Sequence, residues 1–464
     1  MQGVTLTIAL AASALIFLLR PLFGLLIYVV AFAWYPMYLA VKVGTVDFTA
    51  AKIVILALYV KIFLLSNLPS RFRFALVDKL VILYFVAQFV AGIFNGSPAG
   101  AFIENRAGAM FDMMLPYFAV RLIISSKDEY LRLLKGIMMI AAPVAVIGLY
   151  ESVTGHNPFA FLQAYSAWPV GEFVVMAPRL GFSRAKLIYP HSIMLGLFFA
   201  MLGPICAGLL KAQARRSVLV VVGLGLMAIG VFASMSSGAW MVPFIAVPFI
   251  VFFPYRRYTM RMLAVVIVLC GIVEVISNRH FYDVVGRFTF SGYTAWYRSR
   301  LISVAFSEGG MSGHWLAGYG INTTAAADAS VAWAAKIDGR NHVDMVNDYL
   351  VNLFRYGLIG LLPFLAMLAA GVITLLKALK PGEALGDTWL TWCLGSSLCG
   401  TLAAMNTTML FGPPVVILYM MLAFCTIMPR LVTGTTQAWV ERIAVRDGAT
   451  EDATVVFQKP EVVA

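Results

Sequence analysis

Long apolar runs are the feature of this sequence that most limits what it can fold into. A run of about 20 apolar residues lets an α-helix cross the hydrocarbon core of a bilayer. The chain has 464 residues, of which 61% are hydrophobic and 12% are charged. We therefore predict an all-α, polytopic integral membrane protein with about 12–13 transmembrane helices. The runs lie near 4–19, 22–41, 51–68, 75–94, 108–124, 132–152, 187–209, 217–235, 238–253, 258–277, 349–376, 388–405 and 413–431.

The basic residues of the short connections indicate how the helices are oriented. Alternate connections carry seventeen of them, whereas the opposite set carries only Lys42, Lys52 and Arg106. Because cytoplasmic loops are enriched in lysine and arginine, we predict that the first set of connections is cytoplasmic. The seventeen are Arg20, Arg71, Arg73, Lys79, Arg121, Lys127, Arg132, Lys135, Lys211, Arg215, Arg216, Arg256, Arg257, Arg261, Lys377, Lys380 and Arg430.

This orientation divides the chain into a transmembrane domain, 1–432, and a tail, 433–464. The tail has no helical period, so we expect it to be cytoplasmic and disordered. Two long connections, 153–186 and 278–348, are then external. All five cysteines lie in apolar runs, so the sequence indicates no metal and no other cofactor. The net charge of +12 follows from the basic connections, and we predict no binding to nucleic acid.

The two external loops are rich in arginine, on the side of the membrane where basic residues should be scarce. They contain seven arginines but only two lysines. A planar guanidinium binds phosphate bidentately and stays charged beside lipid. The alternative is that long loops cross a membrane whatever their charge, and that some arginines only anchor an interfacial helix. The candidates for a diphosphate site in these loops are Arg179, Arg184, Arg298 and Arg300.

Polar groups also crowd the segment that precedes a late apolar run, "RNHVDMVNDYLVNLFRYGLIGLLPF", residues 340–364. An external carboxylate or neutral imidazole can accept a proton during catalysis, so Asp344 and His342 are candidate catalytic residues. Asn347 and Asp348 follow at the expected start of a helix. They either bind substrate or cap the helix, where an asparagine accepts a backbone N–H and an aspartate complements the helix dipole.

Arg355 needs a separate explanation, because it lies about two turns inside the predicted helix. A charge at that depth is costly and usually faces a bundle interior or a wet cavity. We therefore add Arg355 to the candidates for the diphosphate site. His191, in "YPHSIMLG", also begins a predicted helix. It is a candidate for substrate binding, and the alternative is again a helix cap.

Four stretches of the chain, taken in order, carry motifs of a known superfamily. The first two are "RLGFSRAKLIYPHSIMLG", with arginines before a helix, and "SMSSGAWM", with Gly-Ala-Trp at a helix start. The others are "YRSRLISVAF" followed by "WLAGYGIN", and "VNDYLVNLFRYGLIGLLPF", with two glycines three residues apart. Together they resemble the O-antigen ligase and Wzy-type polysaccharide polymerase superfamily, over roughly 179–376 by motif and over the whole chain by architecture.

The resemblance implies a glycosyltransferase at the outer face of a bacterial inner (cytoplasmic) membrane. Its donor would be an oligosaccharide on undecaprenyl diphosphate, held by arginines, and its acceptor a sugar hydroxyl. Two residues depart from the family pattern: Val346 stands where a histidine is frequent, and Ser237 stands where an arginine is usual. We therefore place Asp344 first as the catalytic base, with His342 as the alternative.

Among the activities of that superfamily, we expect polymerisation of repeat units into an exopolysaccharide or O-antigen, because the His-Asn pair of the ligases is absent. A ligase that transfers glycan to lipid A core is the closest alternative. A transporter or flippase of lipid-linked sugars is the alternative from another class, and it would need charges in several helices along one path. The expected partners are the lipid-linked oligosaccharide and the bilayer, with a flippase and a chain-length regulator as further candidates.

Overall fold

The computed structural model is about 75% helical, which confirms the all-α fold class. Among the described residues, five helices are long and apolar enough to cross a membrane: Leu76–Phe94, Lys127–Thr154, Ser192–Ala212, Asp348–Ala378 and Pro413–Val432. Shorter apolar helices accompany them, so the predicted total of about 12–13 spans stays a prediction. The structure describes residues 2–43, 46–66, 68, 72–167, 176–212, 217–276, 292–379 and 384–446.

The helices and strands follow one another along the chain in this order. The first half contains α1 (Gln2–Leu18), α2 (Pro21–Trp34), an antiparallel hairpin of β1 (Ala40–Val43) and β2 (Val46–Thr49), α3 (Ala50–Leu65), α4 (Leu76–Phe94), α5 (Ala99–Asp112), α6 (Met114–Ile123) and α7 (Lys127–Thr154). The second half contains α8 (Ser192–Cys206), α9 (Leu209–Ala212), α10 (Val218–Ala233), α11 (Ser237–Val251), α12 (Thr259–Ile276), α13 (Gly292–Phe306), α14 (Thr324–Ile337), α15 (Asp348–Ala378), α16 (Leu385–Ala404) and α17 (Pro413–Arg446).

The core of the bundle surrounds α8 and the membrane part of α17. In each of the spans Ser192–Ala212 and Pro413–Val432, 83% of the residues in the most apolar stretch are buried inside the protein. Both are apolar on all sides, which is typical of a helix enclosed by other helices. Around them α15 packs on α4, α11 packs on α16, and α7 packs on α10.

The helix ends form two groups, one at each end of the bundle, as the alternation of the basic connections predicts. At one end, which we call the basic end, Arg20, Glu129 and Arg132 line a cavity. At the other end, which we call the loop end, Gln2 and Tyr165 line another. The loop end carries the described parts of both long connections. That the basic end is cytoplasmic remains a prediction.

Two ion pairs connect helices at the basic end. Arg121 donates from Nε and Nη2 to the two carboxylate oxygens of Asp78, each at 2.7 Å, in the bidentate geometry that suits this pair. Tyr117 donates a further hydrogen bond of 2.6 Å to the same carboxylate. Lys127 forms an ion pair with Asp387. These contacts fasten α4 to α6 and α7 to α16.

Two predicted segments differ from the structure. The expected span at 108–124 is interrupted at Met113, where φ is −114° and ψ is −69°, and it forms two helices, α5 and α6. The tail was expected to be disordered from residue 433, but α17 continues to Arg446. Residues 430–446, which follow Pro429 in this helix, contain no proline that would end it. The rest of the tail, 447–464, and the part of the second external loop at 277–291 lie outside the described residues.

Candidate functional site

The helix that carries Arg355 is broken two residues after that arginine. Gly357 has φ 59° and ψ −157°, so α15 consists of two helical parts. The backbone N–H groups of Leu358 and Ile359 are satisfied from outside the helix, by the carbonyl oxygens of Trp315 (2.8 Å) and Leu316 (3.1 Å). Irregular backbone at membrane depth is tolerated where other protein groups satisfy it in this way.

The segment "WLAGYGIN" of the second external loop fills the break. Tyr319 and Gly320 donate backbone hydrogen bonds to the carbonyl oxygens of Phe354 (2.7 Å) and Arg355 (3.2 Å). A Cβ atom at Gly357 would lie 2.3 Å from the carbonyl oxygen of Leu316, so this position has no room for a larger residue. Two of the motifs in the sequence are therefore one structural unit.

The described remainder of the second external loop packs on the first part of α15. Leu301 and Val304 of α13 share a small hydrophobic core with Trp333 of α14 and with Leu353 and Phe354 of α15. The first external loop packs separately, against the end of α10, where Ala185 donates to the carbonyl oxygen of Ala233 at 3.0 Å. Each loop is thus anchored on a rigid helix end.

Three of the predicted arginines come together at the loop end, and we call Arg179, Arg184 and Arg298 the arginine cluster. Burial lowers the pKa of Arg184 and of Arg298 to about 10 each, and the positive charge of Arg179 lowers both pKa values further. Because they influence each other electrostatically, arginines from the two external loops lie close together. All three stay cationic at neutral pH.

The arginine cluster has hydrogen-bonding capacity that the protein does not use. The Nε atoms of Arg184 and Arg298 are buried and have no hydrogen-bond partner among the described residues. Arg179 donates from Nη1 to the carbonyl oxygen of Met235 at 3.0 Å, which fixes its position but does not neutralise its charge. A buried cation without a partner is costly, so this arrangement is suited to an anionic ligand.

Asp344 lies at the edge of the arginine cluster. Its backbone N–H donates to Tyr297 Oη at 2.8 Å, which places the carboxylate beside α13. The protein around the carboxylate raises its pKa, and the charges of Arg340, His342 and Arg298 act in the opposite direction. Both Asp344 and His342 are exposed, so an incoming hydroxyl group can reach either side chain.

Three predicted substrate-binding residues have structural roles. His191 accepts the backbone N–H of Ile193 through Nδ1 at 3.1 Å and caps α8. Asn347 caps α15 by accepting the N–H of Leu350 at 3.1 Å. Asp348 is buried and accepts the N–H of Leu410 at 3.2 Å. His191 and Asn347 thus show the contacts of the capping alternative, whereas Asp348 bonds to the backbone of a separate segment.

Arg300 does not join the arginine cluster. It forms an ion pair with Glu308 and donates to the carbonyl oxygen of Lys336 at 3.2 Å, and both contacts lie within the second external loop. Two residues apart on α13, Arg298 and Arg300 face different sides of the helix. We therefore remove Arg300 from the candidate diphosphate ligands.

Arg355 does not join the arginine cluster either. It lines a cavity of about 530 Å³ at the loop end, together with Lys52, Asp47, Glu104 and Asp112. We call this space the acidic cavity, since its carboxylates outnumber its cations. The expectation that Arg355 faces a wet cavity agrees with the structure, but a wall with three carboxylates is unsuited to a diphosphate.

The acidic cavity was missed in the sequence because its residues are scattered. Asp47 lies in β2, Glu104 and Asp112 lie on α5, and Arg355 is hundreds of positions later. One signal was available: Lys52 is one of only three basic residues in the short connections of the loop end. Among the described residues, no group of three or more His, Cys, Asp or Glu could hold a metal ion.

Comparisons with known proteins add no family assignment. No protein-family model matches the chain, and no curated protein matches it by sequence.

Proposed function

We propose that this chain is a membrane glycosyltransferase that polymerises undecaprenyl-diphosphate-linked oligosaccharides into exopolysaccharide or O-antigen at the outer face of the bacterial inner membrane. The observation that carries the proposal is the pair of buried guanidinium Nε atoms of Arg184 and Arg298, which have no hydrogen-bond partner among the described residues. Arg298 also lies close enough to the exposed Asp344 for the two charges to interact. An anion site next to a base is what transfer from a diphosphate-linked donor requires. The motif resemblance gives the donor its particular identity.

The proposed reaction makes one bond and breaks one bond at the anomeric carbon of the donor. The acceptor hydroxyl oxygen attacks that carbon, and the bond between the carbon and the diphosphate oxygen breaks. Arg184 and Arg298 stabilise the negative charge that develops on the departing diphosphate, as preorganised donors do in other group transfers. Asp344 accepts the proton of the hydroxyl, and proton transfer of this kind contributes about 10²–10⁴-fold to a rate.

His342 is assigned a supporting role in this scheme. It is exposed and close enough to Asp344 for its charge to lower the pKa of that carboxyl. In its neutral form it can orient Asp344 or the acceptor hydroxyl. We place Asp344 first as the base, because it interacts electrostatically with Arg298 and hence lies close to the proposed leaving group.

A polymerisation assay with purified components tests the proposal. The protein in detergent would be mixed with isolated lipid-linked repeat units, and the products separated by size. We expect a ladder of longer lipid-linked glycans without any nucleotide sugar. Unchanged repeat units would contradict the polymerase, and transfer only after addition of lipid A core would favour the ligase.

The same assay separates an enzyme from a transporter, which two observations favour: the broken helix α15, and the charged residues that several elements contribute to the acidic cavity. Interrupted helices that line a cavity are common at transporter binding sites. A detergent micelle has no two sides, so a transporter would leave the glycan length unchanged. Chain extension in detergent therefore excludes transport as the sole activity.

A further inference from the structure

The acidic cavity is distinct in charge from the arginine cluster. Its charged wall residues are three carboxylates, Asp47, Glu104 and Asp112, and two cations, Lys52 and Arg355. The formal charge of the wall is therefore negative, whereas the arginine cluster is a group of cations. A diphosphate would be attracted to the cluster and repelled by the carboxylates of the cavity. The two sites thus suit different parts of a substrate.

The polar groups of the acidic cavity are suited to hydroxyl groups. Carboxylates and amide oxygens accept hydrogen bonds from hydroxyl groups, and cations and amide nitrogens donate to them. The side chain of Asp112 forms no hydrogen bond with a described residue, although Lys52 lies close enough to interact electrostatically. Asn105 and Asn322 add two exposed amides at the rim. A ligand with many hydroxyl groups would use both kinds of partner.

The size and the neighbourhood of the cavity agree with this chemistry. Small-molecule sites enclose roughly 300–1,000 Å³, and the acidic cavity measures about 530 Å³. It adjoins a smaller cavity of about 120 Å³, which shares Asp47, Lys52 and Asp112 and is lined by aromatic residues that include Tyr28 and Tyr35. Aromatic faces can pack against the apolar C–H faces of sugar rings while the polar wall binds their hydroxyl groups.

The acidic cavity lies at the same end of the bundle as the proposed catalytic groups. Asp344 and Asp348 are separated by one short segment, and the charge of Arg355 acts on Asp348. Arg355 follows Asp348 by seven positions, a rise of about 10 Å along α15. Gly412, at the wall of the cavity, also packs against Met194 near the start of α8. The cavity and the catalytic carboxylate therefore lie at the same end of the bundle.

We propose that the acidic cavity binds sugar residues of the acceptor glycan, and thereby holds that glycan while its terminal hydroxyl reacts at Asp344. This inference rests on the proposed transferase function. It assigns Glu104 and Asp112 as sugar-binding residues and Arg355 as a ligand of sugar hydroxyls rather than of diphosphate. The arginine cluster would then hold the donor, and the acidic cavity the acceptor.

Binding of free oligosaccharide tests the inference without any need for catalysis. The probe is the oligosaccharide released by mild acid from the lipid-linked glycans of the cell, which carries no diphosphate. Calorimetry with the purified full-length protein would compare wild type with Asp112→Asn and Glu104→Gln. Each substitution weakens hydrogen bonds to hydroxyl groups by removing a charge, so we expect about a tenfold higher Kd for either variant.

A matched control is Asp328→Asn, which changes an exposed carboxylate of α14 that does not line the acidic cavity. We expect this variant to bind the oligosaccharide like the wild type. Size-exclusion profiles identify any variant that fails to fold, and the two cavity variants serve as a check on each other. Equal Kd values for wild type and both folded cavity variants, or no binding by the wild type, would overturn the inference.

The polymerisation assay, run in parallel, distinguishes failure of the inference from failure of the proposed function. A wild-type protein that polymerises, with cavity variants of unchanged acceptor KM, keeps the function and rejects the acceptor site. A wild-type protein that binds the oligosaccharide through Asp112 and Glu104 but extends no chain rejects the transferase and leaves a glycan-binding protein.

Discussion

Buried charged groups have different hydrogen-bonding surroundings at the two ends of the bundle. At the basic end, the guanidinium of Arg121 meets both carboxylate oxygens of Asp78. At the loop end, the Nε atoms of Arg184 and Arg298 are buried without a hydrogen-bond partner among the described residues. Because a buried charge is costly unless it is paired, the basic end is built for stability. The loop end retains charges whose compensation is left to a ligand.

The contrast does not extend to every charge of the loop end. Arg300 pairs with Glu308, and Arg340 pairs with Asp338 at 3.0 Å. Both pairs are partly exposed and lie within the second external loop, where such pairs contribute little to stability. The unpaired arginines are therefore a selected group and not a general property of that surface.

The largest expected effect is all-or-none labelling of introduced cysteines. It shows on which side of the membrane each end of the bundle lies. Single cysteines at Ser330, in the second external loop, and at Ala453, in the tail, would be tested with a membrane-impermeant thiol reagent. We expect Ser330→Cys to be labelled in intact spheroplasts and Ala453→Cys only after lysis, because the basic connections are cytoplasmic. Labelling of both from the same side would reject the topology, and with it an external glycosyltransferase.

Separating the pair at the basic end should cost the most stability. Asp78→Asn leaves Arg121 as a buried cation without its counterion, and the loss should be about 3–5 kcal/mol in the free energy of unfolding. Denaturant unfolding in mild detergent measures it. Arg184→Gln provides the comparison at the loop end. Since it removes an uncompensated charge, we expect no loss of stability, and a loss as large as that of Asp78→Asn would contradict the contrast between the ends.

Replacing the proposed base should have the next largest effect. Asp344→Asn cannot accept a proton, and we expect the polymerisation rate to fall about a hundredfold. His342→Gln should cost less, because its role is to orient. With protein levels matched, near-normal rates in both variants would mean that neither residue is the base.

The pH dependence of the wild-type rate gives a second measurement on Asp344. The protein around this carboxyl raises its pKa above that of an ordinary aspartate. The ionised form, which is the base, is lost as the pH falls through that raised pKa. As the pH is lowered, the rate should therefore begin to fall at a higher pH than it would with an ordinary aspartate as the base. The Asp344→Asn variant should not show this acidic decline.

The sequence predicted the helical class, because apolar runs are local signals, and it offered helix capping as the alternative to substrate binding at Asn347. Asn347 caps α15, as its position before an apolar run indicated. The break at Gly357 was not predictable in the same way. The residues on both sides of it are apolar, and the backbone partners that allow the break come from Trp315 and Leu316, far away in the sequence.

Neighbouring residues in the sequence could not predict which arginines group together either. Arg298 and Arg300 lie two residues apart on α13. Of the two, only Arg300 pairs with Glu308, which follows the end of that helix. Arg355 was correctly expected to face a cavity, but the carboxylates of Glu104 and Asp112 that give that cavity its charge come from a separate helix. Such assignments require the packing of distant segments.

The smallest expected effect tests whether the arginine cluster binds a planar anion or only carries charge. Arg184→Lys and Arg298→Lys keep the positive charge but lose the guanidinium fork. Loss of about one charge-assisted hydrogen bond should reduce the polymerisation rate about tenfold, or about 1.4 kcal/mol. The assay is again in-vitro polymerisation of lipid-linked repeat units, with the amount of folded protein equalised by size exclusion.

Arg300→Lys is the matched control for that last prediction, because it lies on the same helix as Arg298 but is paired with Glu308. A lysine can still form this partly exposed pair, so its rate should stay within twofold of the wild type, since such pairs are worth roughly 0–1 kcal/mol. Equal losses for Arg298→Lys and Arg300→Lys would mean that α13 is sensitive to any change of its arginines. Normal rates for Arg184→Lys and Arg298→Lys would contradict diphosphate binding by the arginine cluster. Its arginines would then be interfacial anchors or would bind a different ligand.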